Sequence, residues 1–167
     1  MEQEKKSKLI LLLVLVVVLL LLAALYIFVR PKLIQPKALN QSGLTSFSFE
    51  RNYSDGSRLK FTMTASKDQV RAMLYDSTMG GKRELNVSTE ALHDLQSVIE
   101  SSGLYLWDGF YEQWSVFFGK NEIQVTAEYT NGLTVSASGV GRLPDDADEV
   151  TAAIRHYFYT LFSNVNE

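Results

Sequence analysis

Polar and apolar side chains alternate along much of the chain after residue 44. In residues 59–66 every second side chain is apolar, from Leu59 to Ala65. Because successive side chains of a strand point to opposite faces, this period of two predicts a strand with one apolar and one polar face. Turn-forming pairs separate similar segments at Asp55-Gly56 and Gly80-Gly81. The pattern predicts strands near 44–50, 58–66, 69–76 and 83–88.

A second pair of alternating segments covers residues 123–130 and 133–138. Between them lies Asn131-Gly132, which is the strongest short signal for a hairpin. The pair predicts a type I′ turn, in which both central residues have a positive φ.

Two further segments repeat their apolar side chains every three or four residues, which is typical of an amphipathic helix. The first helix follows Ser88 or Thr89, either of which can cap it, and ends before Gly103. The second begins after Pro144 with four carboxylates in its first turns, where the helix dipole favours negative charge. Its apolar stripe continues for three turns and predicts a core helix.

The element order is several strands, a helix, three more strands and a helix. We therefore predict one compact α+β domain over residues 44–167, with an antiparallel sheet of about six to seven strands covered by two helices. The two halves, each with strands followed by a helix, are consistent with a structural pseudo-repeat, although element order is the only support for it.

An unbroken apolar segment precedes this domain. Residues 9–29 contain only Leu, Ile, Val, Ala, Tyr and Phe, and a helix of this length covers about 30 Å, the thickness of the hydrocarbon core. A cleaved signal peptide is the alternative, but its apolar region is shorter and ends at small residues, whereas Ala23-Ala24 lies inside this segment. We predict a tail (1–8), a transmembrane signal-anchor helix in the lipid bilayer (9–29) and a juxtamembrane linker (30–43).

Basic residues do not decide the orientation of this span, because three precede it and three follow it. The short N-terminal tail favours a signal anchor with a cytoplasmic N-terminus. We therefore predict a single-pass protein of the cell membrane with its C-terminal domain outside.

The charge is unevenly distributed. Residues 1–37 carry six basic and two acidic side chains, whereas residues 38–167 carry ten basic and 17 acidic ones. An acidic domain lacks the clustered Lys and Arg that bind phosphates, which argues against nucleic acid as a partner. The absence of Cys excludes disulfides, a thiolate nucleophile and the lipid anchor of a lipoprotein.

The sequence offers few groups for catalysis or metal binding. His93 and His156 lie on different predicted helices without a partner at i+4. There is no Gly-x-Ser-x-Gly segment, and the carboxylates of residues 145–149 lack the spacing of a calcium loop. We expect no catalytic, cofactor-binding or metal-binding residues and no cofactor.

The most distinctive segment is residues 104–114, with the sequence LYLWDGFYEQW. Aromatic side chains on a loop often recognise partners, because they provide a large contact area at a low entropic cost. The alternative is that they close one end of the core. The residues of this candidate binding surface are Tyr105, Trp107, Phe110, Tyr111 and Trp114.

The second half of the domain contains several short motifs: a Leu-x-x-Leu-x-x-Val-Ile helix, Trp107-Asp108-Gly109-Phe110, the hairpin around Asn131-Gly132, and Ser138-Gly139 before Pro144. Together they resemble small extracytoplasmic α+β domains of uncharacterised Firmicutes lipoproteins and membrane-anchored proteins, over about residues 85–165. The chain departs from that pattern in having Asn-Gly in place of Asp-Gly and a helix in place of a lipobox. The resemblance implies a Gram-positive cell surface and no known active site or cofactor.

Three functions are compatible with these features. The first is a non-catalytic binding or interaction module with a protein or cell-envelope partner. The second is a small hydrolase-like surface enzyme, whose dispersed site would combine Asp108, Asp145 and His156. The third is an accessory subunit of a membrane complex, which a bland Leu/Val helix does not favour. We expect the binding module.

Overall fold

The structure is a computed structural model that describes residues 14–22, 42–67, 69–113 and 121–164. It divides into two units, residues 1–37 and residues 38–167. We describe each unit by itself.

In the first unit, residues 14–22 form a helix (α1) with exposed side chains. No helix within the described residues is long and apolar enough to cross a membrane. The predicted span 9–29 continues beyond α1 on both sides, and these flanking residues lie outside the described ones, as do the tail 1–8 and nearly all of the linker 30–43. The transmembrane anchor therefore stays a prediction.

The second unit is an α+β domain, as predicted. Its elements in chain order are β1 (Leu44–Asn52), β2 (Arg58–Ser66), β3 (Gln69–Asp76), β4 (Gly81–Val87), α2 (Thr89–Ser101), a 3-10 helix (Leu104–Trp107), β5 (Tyr111–Gln113), β6 (Glu122–Tyr129), β7 (Thr134–Val140) and α3 (Ala147–Ser163).

The strands form one seven-stranded sheet in the order β4-β3-β2-β1-β6-β7-β5. The predicted antiparallel sheet needs one correction, because β5 pairs with β7 in parallel and makes the sheet mixed. A strand of three residues is too short to show alternation, so neither its position nor its direction could be predicted. It lies in the segment predicted to be a loop.

Strands β1, β2, β3, β6 and β7 bury apolar side chains of their alternation on one face, which we call the inner face. Phe47 and Phe49 of β1 lie opposite Met63 and Phe61 of β2, and all four are fully buried. Phe158 of α3 packs on them, with its ring centroid 4.9 Å from that of Phe61 and 6.3 Å from that of Phe47. Both α2 and α3 contribute buried residues to this single core.

The hairpin at Asn131-Gly132 is confirmed, but the predicted type I′ turn is wrong. Gly132 has a φ of +79°, whereas no described residue other than glycine has a positive φ. The Gly132 N–H donates to the Tyr129 carbonyl, and the Tyr129 N–H donates to the Leu133 carbonyl. This geometry is that of a three-residue loop, in which a type I turn is followed by a left-handed glycine.

The same turn occurs between β1 and β2. The Gly56 N–H donates to the Tyr53 carbonyl, the Tyr53 N–H donates to the Ser57 carbonyl, and Gly56 has a φ of +87°. The two turns have the sequences Tyr-Ser-Asp-Gly and Tyr-Thr-Asn-Gly. They are matching residues between the two halves of the domain, and they add a local similarity to the predicted pseudo-repeat.

Both helices occupy the predicted parts of the chain. Ser88 is at the N-cap of α2, although its side chain makes no capping hydrogen bond. Gly103 follows the helix in the left-handed conformation, with a φ of +78°, as expected for a glycine just after a helix. Asp146 is at the N-cap of α3, and its carboxylate is directed to another element instead of the helix N–H groups.

Gly139 of β7 provides a test of this packing. A Cβ at this position would lie 2.6 Å from the Arg142 carbonyl oxygen and 3.1 Å from Cε1 of Phe110. We expect Gly139→Ala to lower the free energy of unfolding by about 1–3 kcal/mol, as for other overpacked sites. Urea unfolding followed by circular dichroism measures the change. Ser138→Ala on the neighbouring, opposite-facing position is the control and should be nearly neutral.

Candidate functional site

The structure separates the residues of the aromatic segment 104–114. Trp107 is 4% exposed and belongs to the core. Its indole N–H donates to the Asp146 carboxylate at 2.8 Å, which joins the segment to the first turn of α3. In this position Trp107 closes one end of the core and offers no face to a partner.

The other aromatics of the segment differ in exposure. Tyr105 and Phe110 are half-buried and pack against the core. Tyr111 is 64% exposed and begins β5 at the edge of the sheet. Trp114 lies outside the described residues. Among the four described aromatics, Tyr111 is thus the one available for contact.

The fold does not assemble the dispersed enzyme site. The Asp108 carboxylate accepts the Ser136 N–H at 3.0 Å and holds the segment against β7. Asp145 is exposed just before α3, and His156 is exposed nine residues after the first residue of that helix. At 1.5 Å per residue this separation is about 14 Å, so Asp145 and His156 cannot act on one atom.

Metal-binding groups are equally dispersed. His93 is exposed on α2 and His156 on α3. Within the described residues, no group of three or more His, Cys, Asp or Glu side chains is arranged to hold a metal ion.

Two charged residues occupy inner-face positions of the sheet. Arg51 of β1 is 5% exposed. Its guanidinium donates to the Ala147 carbonyl at 3.1 Å, to the Thr151 hydroxyl at 2.6 Å and to the Asp148 carboxylate at 2.6 Å. All three acceptors belong to the start of α3, so Arg51 attaches that end of the helix to the sheet.

Asp76, at the end of β3, is fully buried. One carboxylate oxygen accepts the Thr78 N–H and hydroxyl at 2.8 and 2.6 Å. The other accepts the Tyr159 hydroxyl and, at 3.1 Å, the Arg155 guanidinium. Burial would raise the pKa of Asp76, but the hydrogen bonds from Thr78 and Tyr159 and the charge of Arg155 outweigh it and lower that pKa.

The buried roles of Arg51 and Asp76 were not predicted from the sequence, although the sequence contains a signal for them. Arg51 continues the inward series of Phe47 and Phe49, and Asp76 continues that of Ala72 and Leu74. A charged residue at the apolar phase of a strand must find partners within the protein, since an unpaired buried charge is very costly. Which partners it finds cannot be deduced from the strand alone.

The opposite face of the sheet, here called the outer face, carries the polar set of each alternation. Register places hydroxyl side chains side by side on four adjacent strands, β7, β6, β1 and β2. Those hydroxyls belong to Ser136, Thr126, Ser48 and Thr62. Tyr111 lies on the same face, because it pairs with Ser138.

Shallow concavities lie on this outer face. One of about 450 Å³ is lined by Ser66, Gln69, Arg71 and Asn86. Another of about 420 Å³ is lined by Tyr111 and its neighbours on β5 and β7. A smaller one of about 130 Å³, near Glu50 and Glu122, shares Ser138 and Val140 with the second. None of the described helices covers the outer face, so it is the candidate contact surface.

Comparison with known proteins adds no assignment: no protein-family model and no curated protein matches the chain. The function is therefore inferred from the geometry of the domain.

A pair of substitutions separates core from surface in the aromatic segment. We expect Trp107→Ala to cost about 3–5 kcal/mol, the range for a buried aromatic. Tyr111→Ala should change the free energy of unfolding by less than about 0.5 kcal/mol, because the side chain is exposed. Urea unfolding of both variants measures this difference. Equal losses would mean that Tyr111 also belongs to the core.

The Asp76 cluster makes stability depend on pH. The pKa of Asp76 is lowered in the folded state, so its contribution is complete above its ordinary pKa, near 4, and is lost as the pH falls through the folded value. At pH 7 we expect Asp76→Asn to cost about 2 kcal/mol or more, because hydrogen bonds to a charged acceptor are replaced. The difference from the parent should shrink below about pH 4 in urea unfolding. A constant difference from pH 7 to pH 3 would contradict this linkage.

Proposed function

We propose that the chain is a membrane-anchored extracytoplasmic protein whose domain is a non-catalytic binding module, and that the outer face of the sheet is its contact surface. One observation supports the choice of the outer face. Both α2 and α3 pack on the inner face, while the outer face of all seven strands is left uncovered by any described element.

The dimensions of the outer face suit a macromolecular partner. Six strand spacings of about 4.8 Å give a width of about 29 Å, and strands of eight residues give a length of about 26 Å. The area of about 700 Å², allowing for the short β5, is close to the roughly 800 Å² that each partner contributes to a standard interface.

The proposed anchor is residues 9–29, of which the described residues 14–22 are helical. The partner is a protein or another component of the cell envelope. No described group of residues favours the hydrolase-like enzyme, since Asp145 and His156 lie apart. The bland Leu/Val composition of the anchor does not favour an accessory subunit.

Single cysteines test this function cleanly, because the chain has none of its own. Thr62→Cys places a thiol on the outer face, and Ala152→Cys places one on an exposed position of α3 as the matched control. In intact cells we expect a membrane-impermeant maleimide to label the Ala152 variant. Labelling of the Thr62 variant should be at least about tenfold slower, which corresponds to about 1.4 kcal/mol of protection by a bound partner.

Urea-unfolded protein should label equally at both positions. If neither thiol reacts until the cells are lysed, the extracytoplasmic location is wrong. If both react at the same rate in intact cells, the outer face is free and is not the contact surface.

A further inference from the structure

We infer that the outer face binds the outer face of a second copy of this chain, around a two-fold axis parallel to β1. This inference rests on the proposed function, in that it names the partner of the proposed contact surface. Two observations support it, the distribution of charge on the face and the position at which the chain enters the sheet.

Charge divides the outer face at the central strand. Strands β2, β3 and β4 present four cations, Arg58, Lys60, Arg71 and Lys82, against the single carboxylate of Glu84. On the other side, β6, β7 and β5 present Glu122 and Glu128 and no cation. Glu50 lies on β1 itself, between the two halves, and forms ion pairs with Arg58 and Lys60 of its own chain. The face is neutral in total but has a basic half and an acidic half, which makes it complementary to itself.

Two kinds of two-fold axis can place such a face on its own copy. An axis in the interface perpendicular to the strands would put each basic half on a basic half. An axis parallel to the strands exchanges the halves and places each basic half on an acidic one. In a symmetric interface the same patch meets itself, so self-complementarity of charge selects the parallel axis.

Strand register gives this arrangement a specific contact. Asn52 of β1 pairs with Arg58 on one side and with Glu122 on the other, so these two residues flank the central strand at the same level. A two-fold axis along β1 therefore places Arg58 over Glu122 of the second copy, twice per dimer. The pairs lie one strand from the axis and four residues along the strands from the level of Ser48, so a crossing angle of about 30° between packed sheets displaces them by about 7 Å, which the long Arg58 side chain can span.

The position of the chain start agrees with the same axis. The sheet begins at Leu44, the first residue of β1. Rotation about an axis parallel to β1 leaves both β1 strands pointing the same way, so the two Leu44 residues lie at the same end of the dimer. Two chains anchored in one membrane by residues 9–29 approach the dimer from one side, which favours this arrangement. The perpendicular axis would place the two starts at opposite ends.

Cysteine cross-linking of the full chain in its membrane tests the axis. Ser48 lies in the middle of β1, so Ser48→Cys places two thiols next to the axis. We expect a thiol-to-thiol reagent of about 10 Å reach, the spacing of stacked sheets, to join two copies. Arg71→Cys lies two strands from the axis, which separates its two copies by about 20 Å and should prevent cross-linking. A mixture of Arg71→Cys and Thr134→Cys chains should cross-link, because these positions exchange across the axis.

The dimer is supported if the Ser48→Cys chain cross-links and the Arg71→Cys chain by itself does not. Equal cross-linking of these two single variants indicates random collision and overturns the dimer. If Ser48→Cys is shielded from a monofunctional maleimide yet does not cross-link, another molecule covers the face. The second copy is then wrong and the binding module stands. If the Ser48→Cys thiol is labelled freely and does not cross-link, both the dimer and the proposed contact surface are wrong. If the chains cross-link but the domain is labelled only after lysis, the extracytoplasmic location alone is wrong.

Charge reversal tests the predicted contact in the Ser48→Cys background. Arg58→Glu should lower the cross-linked fraction at least about tenfold, since two attractive pairs per dimer become repulsive. Adding Glu122→Arg to the same chain should restore cross-linking. Recovery would not be expected if Arg58→Glu acted only by breaking the Arg58–Glu50 ion pair or by unfolding the domain. Glu149→Lys, an exposed reversal on α3, is the matched control and should have no effect. Failure of the double variant to recover would overturn the contact.

Discussion

The packing of Phe158 against Phe47 and Phe61 determines which face of the sheet is covered by the helices and which face is available for contact. The three side chains are fully buried, and they join α3 to the two central strands, β1 and β2. A helix that buries its apolar stripe on one face of a sheet commits that face to the core. The polar set of each strand must then face away from the helices, which is why any contact surface of the sheet is a polar one.

Hydrophobic packing does not by itself determine where along the sheet α3 crosses, because apolar contacts are not directional. The two buried charges provide that direction. Arg51 and Asp76 lie in one inner-face row, separated by Leu59 on the intervening strand. Arg51 holds the first turn of α3 and Asp76 holds Arg155 and Tyr159 further along it. Buried polar groups of this kind are better understood as setting a unique arrangement than as adding stability, since their desolvation offsets much of their attraction.

Local patterns predicted most of the domain. Alternation located the β2 and β3 strands at their observed bounds, and Asn131-Gly132 located a hairpin, because both signals depend on neighbouring residues. What could not be predicted involves residues far apart in the chain. The parallel pairing of β5 with β7 joins Tyr111 to Ser138, and Trp107, for which surface and core were both open, donates a hydrogen bond to Asp146. The predicted turn type was wrong because Asn131-Gly132 belongs to a three-residue loop, in which one residue has a positive φ, and not to a two-residue type I′ turn, in which two do.

A polar, charge-divided face is weak as an interface in free solution, because exposed ion pairs each contribute little and the apolar core of a permanent dimer is missing. The proposed membrane anchor changes this balance. Two chains held in one membrane have already lost most of the translational freedom that association costs, so their effective concentration is high and little further attraction is needed. In that setting a face rich in hydroxyl groups has an advantage over an apolar one. It stays soluble when unpaired, and its charge division permits only the orientation in which both chains begin at the same end. In the proposed dimer, the anchor supplies the proximity, and the sheet needs only to supply the orientation.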